Sequence, residues 1–276
     1  MFRTLDASAM FKTLDTSAMF TTLDASAMFR FPDYSAMFKT LDTSAILRLP
    51  PFVLDFDSEP LIRALKLRRV PENWLDVDVD ADDAQDAIHS VLDDGIPLGW
   101  VPSGRAVQLL LDASDARARR RVISNNYRGI LADCERVCAT LPAPRALFLA
   151  DKIRRSIAAL RGGHGEAAQA LATNVLDTLV EQHSRGALGV GSGALTNPSY
   201  QVNLSRKGWR LALSLRPLAT VMSGKYGLDH REPGFRRNAT THAVTRHQYN
   251  RINSVIAIML ATSVLACFVR DTSAFD

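Results

Sequence analysis

The sequence has few of the features that identify a secreted, membrane-spanning or zinc-binding protein. Only three of its 276 residues are cysteine, an odd number, and it contains no pair of Cys-x-x-Cys motifs. A disulfide framework and a structural zinc site are therefore not expected. A Gly-Lys-Ser/Thr phosphate loop and a His-Glu-x-x-His zinc motif are also absent. We predict a protein of the reducing cytoplasm that uses no metal and no cofactor.

Residues 1–45 lack any pattern that would build a regular core. They are five near-copies of a nine-residue unit that begins Met-Phe and ends Ser-Ala. A nine-residue period moves apolar positions from face to face of a helix, and an odd period does the same in a strand. The interspersed Asp6, Asp15 and Asp24 exclude a secretory signal. We predict a disordered or weakly helical tail and assign it no function.

Charge is divided unevenly along the chain, although the whole protein has a net charge of only +4. Residues 51–100 contain 12 acidic and 4 basic side chains, whereas residues 101–276 contain 24 basic and 12 acidic ones. A basic body suits a polyanionic partner such as RNA. Arginines that merely solvate helix faces would give the same balance.

The acidic stretch belongs to a predicted small α(+β) lobe at residues 46–112. Its apolar patterns favour a short strand or extended segment at 52–56, a strand at 76–80 and helices at 82–92 and 104–112. Five aspartates between residues 76 and 83 resemble a calcium loop by composition. The glycine at position six and the glutamate at position twelve of such a loop are missing. An acidic helix N-terminus, stabilised by the helix dipole, is the preferred interpretation.

Helical signals are dense in a predicted third region, residues 113–270. Apolar side chains recur there at three- and four-residue spacings in successive stripes. Cys134 and Cys138 fall on the first stripe and are interpreted as buried core residues rather than metal ligands. A glycine-rich linker is predicted at 184–198, followed by helices at about 206–222 and 246–269. These features predict a mainly α protein built on an antiparallel four- to five-helix bundle.

The segment before the last predicted helix concentrates residues suited to phosphate chemistry. Arg237 is followed by Asn238 and, five positions on, by His242. An arginine fork can hold two phosphate oxygens, and an imidazole can carry a proton near neutral pH. Thr245–Gln248 is typical of a capping box that starts a helix. The candidates for contacts to nucleic acid are Arg236, Arg246, His247 and Lys225.

An Arg-polar-x-x-x-His segment that enters the last helix of an all-helical domain resembles the HEPN family. The resemblance covers Arg237, Asn238 and His242 and extends to the helical body from about Ser114 to Val269. It implies a metal-independent endoribonuclease of a bacterial toxin or phage-defence type. The three motif residues would be catalytic, at a composite site across a homodimer. The implied partners are RNA or a nucleotide and an antitoxin or regulatory protein.

Helix geometry limits how Arg237 and His242 can act together. In a straight helix, residues five apart point about 140° away from each other. The two side chains therefore meet on one phosphate only if the segment is non-helical or if two copies face each other. An arginine that caps a turn, with a histidine packed beneath it, would give the same sequence.

Two other classes of function remain open at the level of sequence. The first is a non-catalytic HEPN-like module that binds RNA, a nucleotide or a protein. The second is a C-terminal membrane anchor at residues 252–269, whose apolar run approaches the roughly 20 residues of a membrane span. Asn253, Ser254, Thr262 and Ser263 interrupt that run. We predict no membrane association.

Overall fold

The structure is a computed structural model, and the chain from residue 57 onward forms one compact unit. It describes residues 63, 66–197, 199–200, 204, 208–223, 234–242, 245–272 and 274–275. The predicted tail at 1–45, the extended segment at 52–56 and the candidate Lys225 lie outside the described residues. Nothing in the structure tests those three predictions.

The described part of the chain is mainly helical and contains no β-strand. From residue 85 onward, the first five α-helices are α1 (Gln85–Asp93), α2 (Gly104–Leu111), α3 (Ala116–Ala139), α4 (Leu147–Arg161) and α5 (Gly165–Thr178). The later ones are α6 (Ser184–Leu188), α7 (Ser192–Leu195), α8 (Trp209–Leu215), α9 (Pro217–Met222), α10 (Arg237–His242) and α11 (Arg251–Arg270). The predicted helical character is confirmed.

Helix α11 lies at the centre of the core. Every residue from Asn253 to Phe268 is buried, and the helix packs against α3, α4, α5 and α8. A helix that is apolar on all sides needs neighbours on all sides, and these helices supply them. By length and composition it is the one described helix that could cross a membrane, but 89% of that span is buried inside the protein. Burial by its own chain thus accounts for its composition without a membrane.

The start of α11 differs from the sequence prediction. Thr245 Oγ1 accepts a hydrogen bond from the Gln248 backbone N–H at 3.3 Å, as in a capping box. The chain makes only a turn there, and the helix begins later. Asn250 is the N-cap, and its Oδ1 accepts from the Asn253 N–H at 3.0 Å. The predicted start at residue 246 was therefore wrong, because two successive polar side chains cap two successive turns.

The aspartate-rich segment at 76–80 forms turns and bends, so the predicted strand was wrong. Asp80 Oδ1 accepts from the Asp82 N–H at 2.8 Å, the local bond by which aspartate competes with regular structure. Asp82 binds Arg69 and also accepts from Trp209 Nε1 at 2.7 Å. Among the described residues, no three His, Cys, Asp or Glu side chains are grouped as a metal site would require.

The loop between α1 and α2 packs directly on the later helices. The N–H groups of Leu98 and Gly99 both donate to the Leu213 carbonyl, at 3.0 and 3.1 Å. Ser263 Oγ, in the middle of α11, donates to the Gly99 carbonyl at 2.6 Å. A Cβ at residue 99 would collide with Ser214, so the close approach requires glycine. Residues before and after 113 thus share one core, and the domain boundary placed there stays a prediction.

Three further sequence expectations have clear outcomes. Cys134 and Cys138 are buried, as predicted for core residues, and burial raises the pKa of Cys138 to about 12. The predicted linker at 184–198 instead contains the short helices α6 and α7. The helix expected at 206–222 is divided into α8 and α9, since Pro217 lacks the N–H that would continue α8.

Candidate functional site

Arg237 and His242 are the first and last residues of the six-residue helix α10. Five residues of helix separate their side-chain directions by about 140°. Arg237 is partly buried, whereas His242 is exposed. Because the segment is helical, Arg237 and His242 of one chain point in different directions. Of the two arrangements that would allow joint contact with one phosphate, a non-helical segment and two facing copies of the chain, only the second is compatible with this helix.

Arg237 is held by a carboxylate from another helix. Its Nε lies 2.6 Å from Oδ1 of Asp177, which is in the last turn of α5. Its Nη1 donates to Asn238 Oδ1 at 2.8 Å. The hydrogen bond and the charge of Asp177 raise the pKa of Arg237, so the guanidinium is firmly cationic. Two predicted site residues, Arg237 and Asn238, are thus brought into contact.

Asp177 is a site residue that sequence reasoning missed. It lies 60 positions before Arg237 and shares no local motif with it. The side chains of both residues are largely covered, with 24% of Arg237 and 18% of Asp177 exposed. The one available signal was an acidic residue near the end of an amphipathic helix, which many soluble helices also have. Only the packing of α5 against α10 reveals the pair.

Buried polar side chains fix α10 in place. Gln169 of α5 is fully buried, and its Nε2 donates to Thr240 Oγ1 at 2.8 Å. The Tyr249 hydroxyl donates to the Thr240 carbonyl at 2.6 Å. A buried polar group without a partner is costly, so these matched bonds select one position for α10. The motif helix is therefore rigidly placed against α5.

Arg236 donates hydrogen bonds to groups within the protein. Its guanidinium donates to the Thr220 carbonyl, and its own N–H donates to Gln248 Oε1 at 3.1 Å. Gln248 is buried and donates from Nε2 to the Gly234 carbonyl at 3.0 Å. The side chain predicted to complete a capping box is thus used to hold the entry to α10. Arg236 is partly buried, and its assignment to nucleic acid stays a prediction.

Arg246 and His247 lie in the turn between α10 and α11, and both are exposed. The His247 carbonyl accepts from Asn250 Nδ2 at 2.8 Å and from Asn253 Nδ2 at 3.3 Å. These bonds fix the backbone of the turn and leave the two basic side chains on its outer surface. Their position suits the predicted contact with a polyanion, which the structure does not test.

A π-helical turn, Leu179–His183, directly follows α5, two residues after Asp177. π-Helical turns are rare, and many of those that are known lie at functional sites. Glu181 within the turn adds to the negative potential around Arg237 and accepts from Ser192 Oγ at 2.9 Å. His183 stacks on Phe275 at 4.5 Å between ring centroids, and burial lowers its pKa. The irregular turn thus places a second carboxylate near the motif arginine.

Comparison with protein families, with curated proteins and with solved structures gives no significant match to this chain. The geometry of its own residues is therefore the basis for a functional assignment.

Proposed function

We propose that this protein is a metal-independent endoribonuclease of a bacterial toxin or defence type, acting in the cytoplasm. Its site would combine Arg237 of one copy with His242 of a second copy. The observation that carries the proposal is the helical α10, which fixes Arg237 and leaves His242 exposed on a different face. The resemblance to HEPN ribonucleases supports the same pairing across a two-fold axis.

The proposal includes the finer architecture expected for such an enzyme. Residues 113–270 would form an antiparallel bundle and pair as a homodimer, and residues 46–112 would be the acidic lobe. An antitoxin or regulatory protein would be a further partner. The central α11 and the helices packed around it are compatible with this arrangement.

RNA cleavage without a metal needs three contributions. The ribose 2′-hydroxyl loses a proton and attacks phosphorus, and the 5′-oxygen leaves with a proton. The products are a 2′,3′-cyclic phosphate and a 5′-hydroxyl. His242 would make one of the two proton transfers, as the base that removes the 2′-hydroxyl proton or as the acid that protonates the leaving 5′-oxygen, and solvent water would make the other. Arg237 would stabilise the charged phosphorane, and Asn238 would orient the ribose or the arginine.

The ion pair with Asp177 is compatible with phosphate binding. A guanidinium carries five N–H donors, so a carboxylate on one edge leaves other donors for a phosphate. The pair would also hold the arginine in its productive rotamer before RNA arrives, which reduces the entropic cost of binding. Asp177 would therefore be a positioning residue.

The same ion pair favours a second candidate, a non-catalytic module that binds RNA, a nucleotide or a protein. Arg237 is engaged at Nε by Asp177 and at Nη1 by Asn238, as expected for an arginine that braces two helices. In that case the exposed basic side chains alone would contact the partner.

The test compares the full chain with its His242→Ala and Arg237→Ala variants on a labelled structured RNA in EDTA. The expected result is cleavage by the wild type that leaves a 2′,3′-cyclic phosphate and is lost in both variants. Circular dichroism would confirm that each variant is folded. No cleavage by a folded wild-type protein would favour the binding module.

A mixing experiment tests the composite site directly. Each inactive variant supplies the residue that the other lacks, so a mixed dimer regains one complete Arg237–His242 pair. Free subunit exchange should restore about a quarter of wild-type activity, because half of the dimers are mixed and each has one intact site. A site within one chain would show no rescue.

A further inference from the structure

A basic surface lies where α3 packs against the start of α11. The two stretches of sequence that form it contain no acidic residue. Residues 116–132 contain five arginines and no aspartate or glutamate. Residues 245–270 contain three arginines and again no acid. Since α3 and α11 pack together, the two acid-free segments adjoin.

Tyr127 organises this surface. The guanidinium carbon of Arg251 lies 4.6 Å from the centroid of its ring, and that of Arg128 lies 5.6 Å away. Arg128 Nε donates to the tyrosine hydroxyl at 3.1 Å, and Arg251 Nη2 donates to Ser124 Oγ at 3.4 Å. Stacking on an aromatic face holds a guanidinium in a defined plane.

The two arginines are exposed and uncompensated. Within the described residues, neither Arg128 nor Arg251 forms an ion pair with a carboxylate, and both side chains are exposed. Arg119, on the same helix, differs from them because it pairs with Asp94 at 2.6 Å. Two adjacent cations without a carboxylate partner repel each other, and an anionic ligand bound between them would relieve that repulsion.

A cleft of about 440 Å³ between α2 and α3 adjoins the ring. Its lining includes Arg105, Asn125 and Asn126 together with Tyr127 and Arg128. Arg105 is a third exposed arginine, and the amides offer both donors and acceptors. We call Arg105, Tyr127, Arg128 and Arg251 the Tyr127 face.

We propose that the Tyr127 face binds single-stranded RNA, with its arginines on the phosphate backbone and the exposed guanidinium planes stacking on bases. Arginine planes can stack on unstacked bases, and side-chain amides can bond to base edges, so this combination of groups suits single-stranded nucleic acid. The proposal deepens the proposed function, because it gives the RNA a path on the enzyme outside the Arg237–His242 motif. Binding is measured apart from cleavage, so the two can fail separately.

The test uses the full chain carrying His242→Ala, which binds without cutting, and a fluorescent single-stranded RNA of mixed sequence. Arg128→Ala/Arg251→Ala is compared with Arg154→Ala/Arg155→Ala. The control pair removes the same charge from α4, where both arginines bind Asp151 and are 49% and 68% exposed. The Tyr127-face variant should bind at least about tenfold more weakly than the control.

The dependence on salt provides a second readout. The slope of log affinity against log salt should decrease by about 0.7 for each phosphate contact that is lost on a single strand. Tyr127→Phe should retain most of the affinity, and Tyr127→Ala should lose it, because the ring positions Arg251. Equal weakening by both double variants, or no binding of RNA by the parent, would overturn the proposal. Polyglutamate serves as a probe for an acidic protein. If the Tyr127-face variant lost polyglutamate binding but kept its affinity for RNA, the face would be assigned to an acidic protein and the proposal would also be overturned.

Discussion

The two ends of the central helix α11 both place arginines against an aromatic ring, but they differ in their carboxylates. At the C-terminal end, Arg210 and Arg270 lie 4.9 and 4.8 Å from the centroid of Trp100. Asp271 accepts from Trp100 Nε1 at 3.0 Å and from Arg210 Nε at 2.7 Å. Arg270 Nη1 lies 3.6 Å from Glu72. The cations at this end are neutralised around a buried ring.

At the N-terminal end, Tyr127 carries Arg128 and Arg251 without a carboxylate among the described residues. The ring is only partly buried, and the arginines are exposed. The same stacking therefore has two uses. Where carboxylates neutralise the arginines, the stacking stabilises the fold, and we call Trp100, Arg210, Arg270 and Asp271 the clasp. Where no carboxylate does so, the arginine charges are available to a ligand. The following predictions test this contrast.

Removing the buried ring should have the largest effect. Trp100 is 5% exposed, so Trp100→Ala should lower the free energy of unfolding by about 3–5 kcal/mol. Tyr127→Ala should lower it by about 1 kcal/mol or less, since its ring is partly exposed. Urea unfolding followed by circular dichroism measures both. Similar losses at the two rings would contradict the contrast.

Removing the acid of the clasp should rank second. Asp271 has a side chain that is 5% exposed, and its partner Arg210 is 24% exposed. Asp271→Ala should cost about 2–3 kcal/mol, below the range for a fully buried pair, because Arg210 can still reach water. Arg251→Ala, measured in the same urea titration, should change stability by about 0.5 kcal/mol at most. A loss from Arg251→Ala as large as that from Asp271→Ala would show that both ends are structural.

Adding an acid to the open end should convert it toward the closed type. Ser124 lies beside Arg251 and four residues before Arg128. In Ser124→Glu the new carboxylate should pair with both arginines, adding about 0.3–0.5 kcal/mol of stability. RNA affinity should fall about tenfold, since a phosphate contact is neutralised. The neutral Ser124→Gln is the matched control, and equal RNA binding by the two variants would contradict the prediction.

The smallest expected effect is a dependence of the free energy of unfolding on pH, caused by His89. His89 packs on Trp209 at 5.9 Å between ring centroids, and burial, followed by the charge of Arg216, lowers its pKa. A depressed folded-state pKa contributes stability above the ordinary value near 6.5, which is lost as pH falls through the folded pKa. The urea midpoint should therefore decrease from pH 7 to pH 5, and His89→Phe should reduce that decrease. An unchanged slope in the variant would show that other groups cause it.

The part of the fold that could be predicted from the sequence is the part that depends on the local spacing of apolar residues. The apolar spacing of α3, α4 and α5 predicted their existence, and the buried Cys134 and Cys138 followed from the same stripe. Alternation at 76–80 misled, because aspartate side chains bond to their own backbone and form turns. Glycines at 184–198 suggested a linker, although Leu195 is buried and anchors α7 to the core.

Of the candidate site, only the residues that lie close together in the sequence could be predicted. The Arg237–His242 segment stands out in sequence because its residues are adjacent. Asp177 and Tyr127 do not, because their roles depend on which helices become neighbours over long separations. An arginine's charge is visible in sequence, but whether a carboxylate compensates it is decided by packing.

The anchoring of α10 has a consequence for its local stability. Six residues are too few for a helix to persist in water on its own propensity. Its order is therefore borrowed from α5, through Gln169 and Asp177. Amide hydrogen exchange along α10 would consequently follow the integrity of two side chains on another helix, rather than the strength of its own backbone bonds.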